Sequence, residues 1–177
     1  MNLSFQKLLV ELETQREKII ESVRNLTEEQ LNSPLAPGKW SASQILSHLI
    51  AAERLSLQYL QKKIQGINEA VDSGLWEEVK INLLKISQRL PGLKFKAPQR
   101  VLENTASYRD MATIQREWDN LRSELKSLLE TIQDQHINRT VYRHPLAGYL
   151  NIKHCLIFFR EHAIHHTPQI KKLANQK

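Results

Sequence analysis

The sequence MATIQREWDNLRSELKSLL, which spans residues 111–129, places a large apolar side chain at nearly every third or fourth position. That spacing gathers the apolar side chains on one face of an α-helix and leaves the opposite face to charged and polar residues. No glycine or proline interrupts the pattern. We therefore predict one long amphipathic helix, with Thr105 or Ser107 as its N-terminal cap.

Three further segments have the same helical period. The first covers residues 3–24, and the second begins at a capping box in residues 41–44 (SASQ) and ends near Gly66. The last begins after Asn151, a residue type that caps helix N-termini, and continues to about Leu173. Four long helices and no predicted strand indicate an all-α protein in which the apolar helix faces pack together as a bundle.

The segment between the second and third long helices holds about 40 residues, too many for a tight antiparallel turn. Its apolar residues from Trp76 to Ile86 predict one shorter helix, followed by a break at Pro91-Gly92 and an extended stretch over residues 93–101. The sequence thus predicts a four-helix bundle with a long crossover between helices 2 and 3. A loop around His144 and Gly148 precedes the last long helix.

Composition limits the classes of protein to consider. The 177 residues suit one domain, Cys155 is the only cysteine, and the sequence shows neither a secretory signal nor a membrane-spanning apolar run. We therefore expect a cytoplasmic protein with no membrane association and no internal disulfide. The 25 lysines and arginines outnumber the 19 aspartates and glutamates, but these charges are scattered. No nucleic-acid-binding motif accompanies them, so we do not expect a nucleic-acid partner.

The segment His162-Ala163-Ile164-His165-His166 carries the clearest chemical signal. Residues four apart lie on one face of a helix, so the imidazoles of His162 and His166 can bind one divalent metal ion. His165 competes with His166, because residues three apart also share a face. Neutral imidazole nitrogens bind Zn²⁺, Ni²⁺, Cu²⁺ and Fe²⁺, and a site with two histidines needs a further ligand from elsewhere in the chain.

Four motifs extend this observation over nearly the whole chain: residues 39–49 (KWSASQILSHL), 96–98 (KAP), 144–148 (HPLAG) and 162–170 (HAIHHTPQI). In this order they resemble the DinB-like family, which includes the bacillithiol S-transferases. The resemblance implies a single DinB-like helical-bundle domain over residues 1–177 and a homodimer. It also implies one divalent metal ion, such as Zn²⁺ or Ni²⁺, bound by His48, His162 and His166.

Three histidine ligands leave a coordination position open for water or substrate, which suits Lewis-acid chemistry. The resemblance implies either a metal-dependent hydrolase or a thiol S-transferase, acting on a small-molecule substrate with a low-molecular-weight thiol as a possible cosubstrate in the second case. We predict that Glu53 and Glu161 face solvent, which leaves no obvious general base and favours thiol transfer. The alternative is a non-catalytic helical binding module with a vestigial metal pocket.

Several other residues near the motifs allow two interpretations. Trp40 either lines the mouth of the pocket or acts as a hydrophobic staple at the helix start. Gln169 either accepts a hydrogen bond from a ligand histidine or faces solvent. His165 lies either on the surface or near the substrate, His144 is predicted to have a structural role in a loop, and Cys155 is predicted to be a buried thiol.

Overall fold

The computed structural model of the chain describes residues 1–90 and 96–175. These residues form the helices α1 (Leu3–Val23), α2 (Glu28–Asn32), α3 (Ala42–Lys63), α4 (Leu75–Arg89), α5 (Gln99–Glu103), α6 (Met111–Thr131) and α7 (Ile152–Ala174). They also form two 3-10 helices, Ile64–Glu69 and Asp134–His136, and two strands, β1 (Tyr142–His144) and β2 (Gly148–Leu150). Within these ranges, none of the helices has the length and apolarity needed to cross a bilayer.

The long helices α1, α3, α6 and α7 form a four-helix bundle, as the sequence predicts. Helix α7 packs against α1 and α3, and α3 packs against α6, so neighbouring helices cover each other's apolar faces. The core between them contains the fully buried aromatic rings of Phe5, Trp118 and Phe159. Burial of each such side chain stabilises the fold by about 1.5–3 kcal/mol.

The segment from α3 to α6 is a long crossover, which confirms the predicted connectivity. Helix α4 lies within it and packs against α7. The stretch predicted as extended over residues 93–101 is helical from Gln99 onward, and Pro98 occupies the N-cap position of α5. A proline is tolerated at a helix start because the N–H that it lacks has no helical partner there. The predicted break at Pro91-Gly92 lies outside the described residues.

Side-chain caps explain where the long helices begin. The Ser41 hydroxyl accepts from the Gln44 backbone N–H at 3.2 Å, while the Gln44 side chain accepts from the Ser41 N–H at 2.9 Å, which confirms the predicted capping box. Asn151 caps α7, as predicted. The predicted cap of α6 was wrong, because Asp110 accepts from the Thr113 N–H at 2.8 Å directly before the first apolar turn.

An antiparallel hairpin occupies the region that the sequence predicts as a loop. Tyr142 pairs with Leu150 and His144 pairs with Gly148. Gly148 has a φ of 72°, in the left-handed region that favours glycine, and this conformation helps the chain to reverse. The sequence did not reveal the hairpin because three residues are too few to show an alternating pattern.

Glu53 and Glu161 are both buried, so the prediction that they face solvent was wrong. Glu53 on α3 accepts two hydrogen bonds from the Arg122 guanidinium of α6, at 2.6 and 2.9 Å. Glu161 on α7 accepts two from the Arg89 guanidinium of α4, at 2.6 and 3.0 Å. A buried carboxylate requires such a partner, and these ion pairs tie neighbouring helices together.

Candidate metal centre

Three buried histidines from two helices meet at one point of the bundle. His48 lies in the second turn of α3, and His162 and His166 lie one turn apart on α7. The Nε2 atom of His162 is 3.1 Å from the Nε2 atom of His48 and 3.2 Å from that of His166. One ligand atom from each of the three rings lies within 4.8 Å of the others. The structure therefore brings together the three histidines singled out by the sequence motifs.

Helix packing explains this convergence. Helices α3 and α7 contact each other, so an inward-facing ring on α3 can approach a ring on α7 despite a separation of 114 residues. The i, i+4 spacing of His162 and His166 then brings the third ring to the same side. Phe158, one turn earlier on α7, stacks on the His162 ring with a centroid distance of 5.3 Å and restricts its orientation.

The spacing of the nitrogen atoms fits a divalent metal ion. Two nitrogens each about 2.0–2.1 Å from one ion lie roughly 3.3 Å apart at a tetrahedral angle and roughly 2.9 Å apart at a right angle. The two Nε2 separations of 3.1 and 3.2 Å lie between these values. Imidazole nitrogens are ligands that Zn²⁺, Ni²⁺, Cu²⁺ and Fe²⁺ accept, so both the donor atoms and their spacing suit such an ion.

Burial keeps these histidines in the uncharged form that binds metals. It lowers the pKa of His48 to about 4, with a smaller contribution from His165, and it lowers the pKa of His162 well below its ordinary value. Burial, followed by repulsion from His48, lowers the pKa of His166 to about 3. At neutral pH the three rings are therefore neutral, and each has a nitrogen lone pair available.

The outer ring nitrogens differ in their partners. The Nδ1 atom of His166 lies 3.1 Å from the side-chain oxygen of Gln169, so this Nδ1 carries a proton and the Nε2 lone pair points into the site. The contact agrees with the first of the two predicted roles of Gln169. The Nδ1 atoms of His48 and His162 are buried and lack a hydrogen-bond partner within the described part of the chain.

A comparison with known protein families bears on this site. Residues 11–170 match the family model of the DinB superfamily. The chain belongs to the DinB superfamily. This membership confirms the resemblance drawn from the four sequence motifs, and the matched range includes His48, His162 and His166.

A similar helical bundle is seen in a solved structure. YfiT from Bacillus subtilis, described as a probable metal-dependent hydrolase with an unusual four-helix bundle topology, matches this chain with a TM-score of 0.60. The two sequences are 19% identical, and the match covers 95% of this chain and 84% of YfiT. At this level of identity the likeness supports the fold alone. None of the curated proteins compared with the chain matches it.

The remaining histidines of this DinB-superfamily chain lie outside the three-ring cluster. His165 donates from Nδ1 to the Gln88 carbonyl of α4 at 2.8 Å, and its side chain, like that of His144, lines a cavity beside the cluster. The structure thus places His166, and not His165, with the other two rings. His154 is buried and its Nε2 lies 2.9 Å from a carboxylate oxygen of Glu78. His144 is also buried, but its ring lines a cavity beside the cluster.

A cavity of about 560 Å³ opens directly onto the three histidines. Trp40 lies on its wall with its ring centroid 4.9 Å from that of His48, which supports the first of its two predicted roles. Much of the lining is apolar. The polar lining includes lysine, arginine and histidine side chains, and none of the described lining residues is an aspartate or a glutamate. The apolar and cationic lining residues include Ala52, Leu55, Lys96, Pro98, Arg100, Val101, Leu102, Arg143, Leu146 and Phe158.

Cys155, predicted to be a buried thiol, is fully buried. Burial is the main effect that raises the pKa of its thiol well above its ordinary value, and the nearby Glu53 carboxylate adds to the rise. A thiol that remains protonated is a poor nucleophile and a poor metal ligand. Cys155 therefore acts as a core residue and not as part of the site.

Proposed function

We propose that this DinB-superfamily protein binds one divalent metal ion, Zn²⁺ or Ni²⁺, through His48, His162 and His166, and that it is a metal-dependent enzyme acting on a small molecule. The observation that carries the proposal is the convergence of three buried, neutral imidazoles at the wall of a 560 Å³ cavity. Cavities of this size suit small organic ligands. The description of the structural neighbour YfiT as a probable metal-dependent hydrolase agrees with it.

The chemistry follows from the number of ligands. Three protein ligands leave at least one position open, as in catalytic rather than structural zinc sites. A bound divalent ion would act as a Lewis acid and lower the pKa of a water or thiol in the open position. Gln169 orients His166, while Trp40 and Phe158 shield His48 and His162 from bulk water.

The two candidate reactions are thiol S-transfer and hydrolysis. Within the described residues, the cavity wall carries no carboxylate, and both Glu53 and Glu161 are held in ion pairs with arginines. No free carboxylate is therefore positioned there as a general base. This favours thiol transfer, in which the nucleophile arrives with a low-molecular-weight thiol as cosubstrate. The description of YfiT instead favours hydrolysis as the second candidate.

Metal analysis of the purified protein tests the proposal. We expect about one equivalent of Zn²⁺ or Ni²⁺ per chain in the wild type and almost none in the double variant His48→Ala/His162→Ala. The control variant is His136→Ala, which removes a buried histidine outside the three-ring cluster. Equal metal content in the wild type and the double variant would contradict the metal site and would favour a non-catalytic binding module.

An activity screen then separates the two reactions. The metal-loaded protein is incubated with monobromobimane and a panel of low-molecular-weight thiols, and in parallel with p-nitrophenyl esters and no thiol. Activity that needs both metal and thiol identifies an S-transferase, and thiol-independent release of p-nitrophenol identifies a hydrolase. Loss of the activity in His48→Ala/His162→Ala is required in either case.

We further propose that the chain forms a homodimer through the exposed face of α4. Trp76, Val79, Leu83, Ile86 and Leu90 alternate at spacings of three and four residues, and each is exposed. Such spacing lines one side of a helix and is typical of paired helices. The N-terminal half of α4 carries Glu77, Glu78 and Lys80, with a net charge of −1, and its C-terminal half carries Lys85 and Arg89, with a net charge of +2. An antiparallel second copy would therefore place acidic residues opposite basic ones.

A further inference from the structure

The charged side chains that line the cavity beside the three histidines are all positive. Lys96, Arg100 and Arg143 line it, and none of its described lining residues is acidic. The Arg143 guanidinium lies over the Tyr149 ring, at 5.6 Å from the centroid. Lys96 and Arg100 have no ion-pair partner among the described residues. Positively charged side chains around an apolar cavity attract a negatively charged ligand.

His144 adds a neutral hydrogen-bond donor to the same cavity. Its Nδ1 atom accepts hydrogen bonds from the backbone N–H groups of Leu146 and Ala147, at 3.2 and 3.1 Å. A neutral imidazole that accepts at Nδ1 carries its proton on Nε2, so the hairpin turn determines which nitrogen can donate. In the described residues, this Nε2–H has no hydrogen-bond acceptor, and the ring lines the cavity. It is therefore available to a ligand.

The rest of the cavity wall suits the apolar part of a ligand. Leu55 from α3, Val101 from α5 and Phe158 from α7 contribute apolar surface. The Phe158 ring also packs edge-on against the His144 ring, with a centroid distance of 4.5 Å, which keeps the donor in place. A molecule bound here would meet apolar surface, unpaired cations and one oriented N–H group.

We propose that this cavity selects a small organic anion, whose apolar body contacts Leu55, Val101 and Phe158 and whose charged group is bound by Lys96, Arg100 and the Nε2–H of His144. The inference deepens the proposed function, because it assigns a substrate or cosubstrate class to the same site. The inference depends on the proposed function only for the reaction that the bound anion would undergo. Binding of the anion uses side chains of the chain itself and takes place with or without a metal ion.

Calorimetric titration with a matched pair of probes tests the inference. The probes are 2-naphthoate and its neutral analogue 2-naphthamide, which share the apolar body and differ in charge. They are titrated into metal-free protein in the presence of a chelator and into zinc-loaded protein. We expect 2-naphthoate to bind about tenfold more tightly than 2-naphthamide to both the metal-free and the zinc-loaded protein. Equal affinities for the two probes in both forms would overturn the inference.

Variants then assign the selectivity to particular side chains. Lys96→Gln/Arg100→Gln lowers the net charge from +6 to +4, and we expect it to weaken 2-naphthoate binding about tenfold without affecting 2-naphthamide. Lys7→Gln/Lys18→Gln, with both exposed lysines on α1, makes the same change in net charge away from the cavity. If this control weakens 2-naphthoate binding as much, the effect comes from overall charge and the inference fails.

The contribution of His144 is tested by His144→Asn. The asparagine side chain keeps an acceptor for the Leu146 and Ala147 N–H groups but lacks a donor at the tip of the imidazole. We expect 2-naphthoate to bind several-fold more weakly, with an unchanged circular dichroism spectrum. Unchanged affinity would remove His144 from the inference.

If the wild type does not load metal but still prefers 2-naphthoate, the proposed enzyme function fails and the anion site stands.

Discussion

The Nε2 atoms of His48 and His162 lie 3.1 Å apart across the α3–α7 contact, although 114 residues separate them in the chain. Neither of these rings has a hydrogen-bond partner on Nδ1 among the residues that the structure describes. Protonating both rings would place two positive charges side by side in a buried environment, which is unfavourable. The arrangement is stable when the rings are neutral, and it would be further stabilised by a shared cation.

The stability of the metal-free protein should therefore depend on pH. The pKa of His48 falls from about 6.5 in an unfolded chain to about 4, and that of His166 to about 3. The unfolded state binds more protons in this range, so the contribution is fully present above pH 6.5 and is lost as the pH falls through about 4. Between pH 6.5 and 5, each ring accounts for roughly 2 kcal/mol of the decrease in the free energy of unfolding.

Urea unfolding of the metal-free protein at a series of pH values measures this effect. The variant His48→Gln/His166→Gln keeps the other titratable groups of the protein. It should show a clearly smaller decrease in the free energy of unfolding between pH 6.5 and 5. Identical pH profiles for the two proteins would show that these rings are not held neutral by the fold.

Metal affinity should depend on the contact between Gln169 and His166. The Gln169 side-chain oxygen accepts from Nδ1 of His166 and so determines which ring nitrogen keeps the lone pair. We expect Gln169→Leu to weaken Zn²⁺ binding by about tenfold, as measured by competition with a fluorescent chelator. Gln61→Leu alters an exposed glutamine on α3 and serves as the control. Comparable losses in both variants would argue against a specific role for Gln169.

Breaking the buried pair Glu53–Arg122 should destabilise the bundle strongly. Glu53→Gln leaves the buried Arg122 guanidinium without its main counter-charge, and we expect the free energy of unfolding to fall by about 3 kcal/mol. The exposed pair Glu21–Arg24 provides the control, and Glu21→Gln should cost less than about 1 kcal/mol. Equal effects in urea titrations would mean that the burial of Glu53 contributes little to stability.

Self-association should depend on the exposed face of α4. We expect the wild type to sediment with twice the 20.6 kDa mass of one chain, and Leu83→Lys to sediment as a monomer, because the new charge would be buried at the interface. Val10→Lys, which changes an equally exposed apolar residue on α1, should stay dimeric. A monomeric wild type, or a dimeric Leu83→Lys, would contradict the proposed interface.

Local signals in the sequence predicted the helices well. The period of the apolar residues predicted all four long helices, and the capping box at Ser41 was correctly recognised. These signals are reliable because a helix start is satisfied by side chains only a few residues away. The hairpin at residues 142–150 was missed for the opposite reason, since its short strands are defined by pairing with each other.

The burial of Glu53 and Glu161 could not be predicted from their positions on a helix. Each carboxylate is paired with an arginine from another helix, Glu53 with Arg122 and Glu161 with Arg89, and Glu161 also accepts from its neighbour Arg160. A charged residue on a predicted helix is normally assigned to the solvent face. The burial of these two glutamates depends on an arginine at least 69 residues away in the sequence, and no local pattern reveals such a partner.

The sequence by itself determined the long helices, their order and the i, i+4 pair His162 and His166, because each depends on residues within a few turns of one another. Its four motifs also established the DinB resemblance and, through it, pointed to His48. Only the tertiary structure brought His48 within 3.1 Å of His162, selected His166 over His165, and placed His144 and the unpaired cations on one cavity. These relationships depend on how α3, α7 and the hairpin pack, and packing is a property of distant segments taken together.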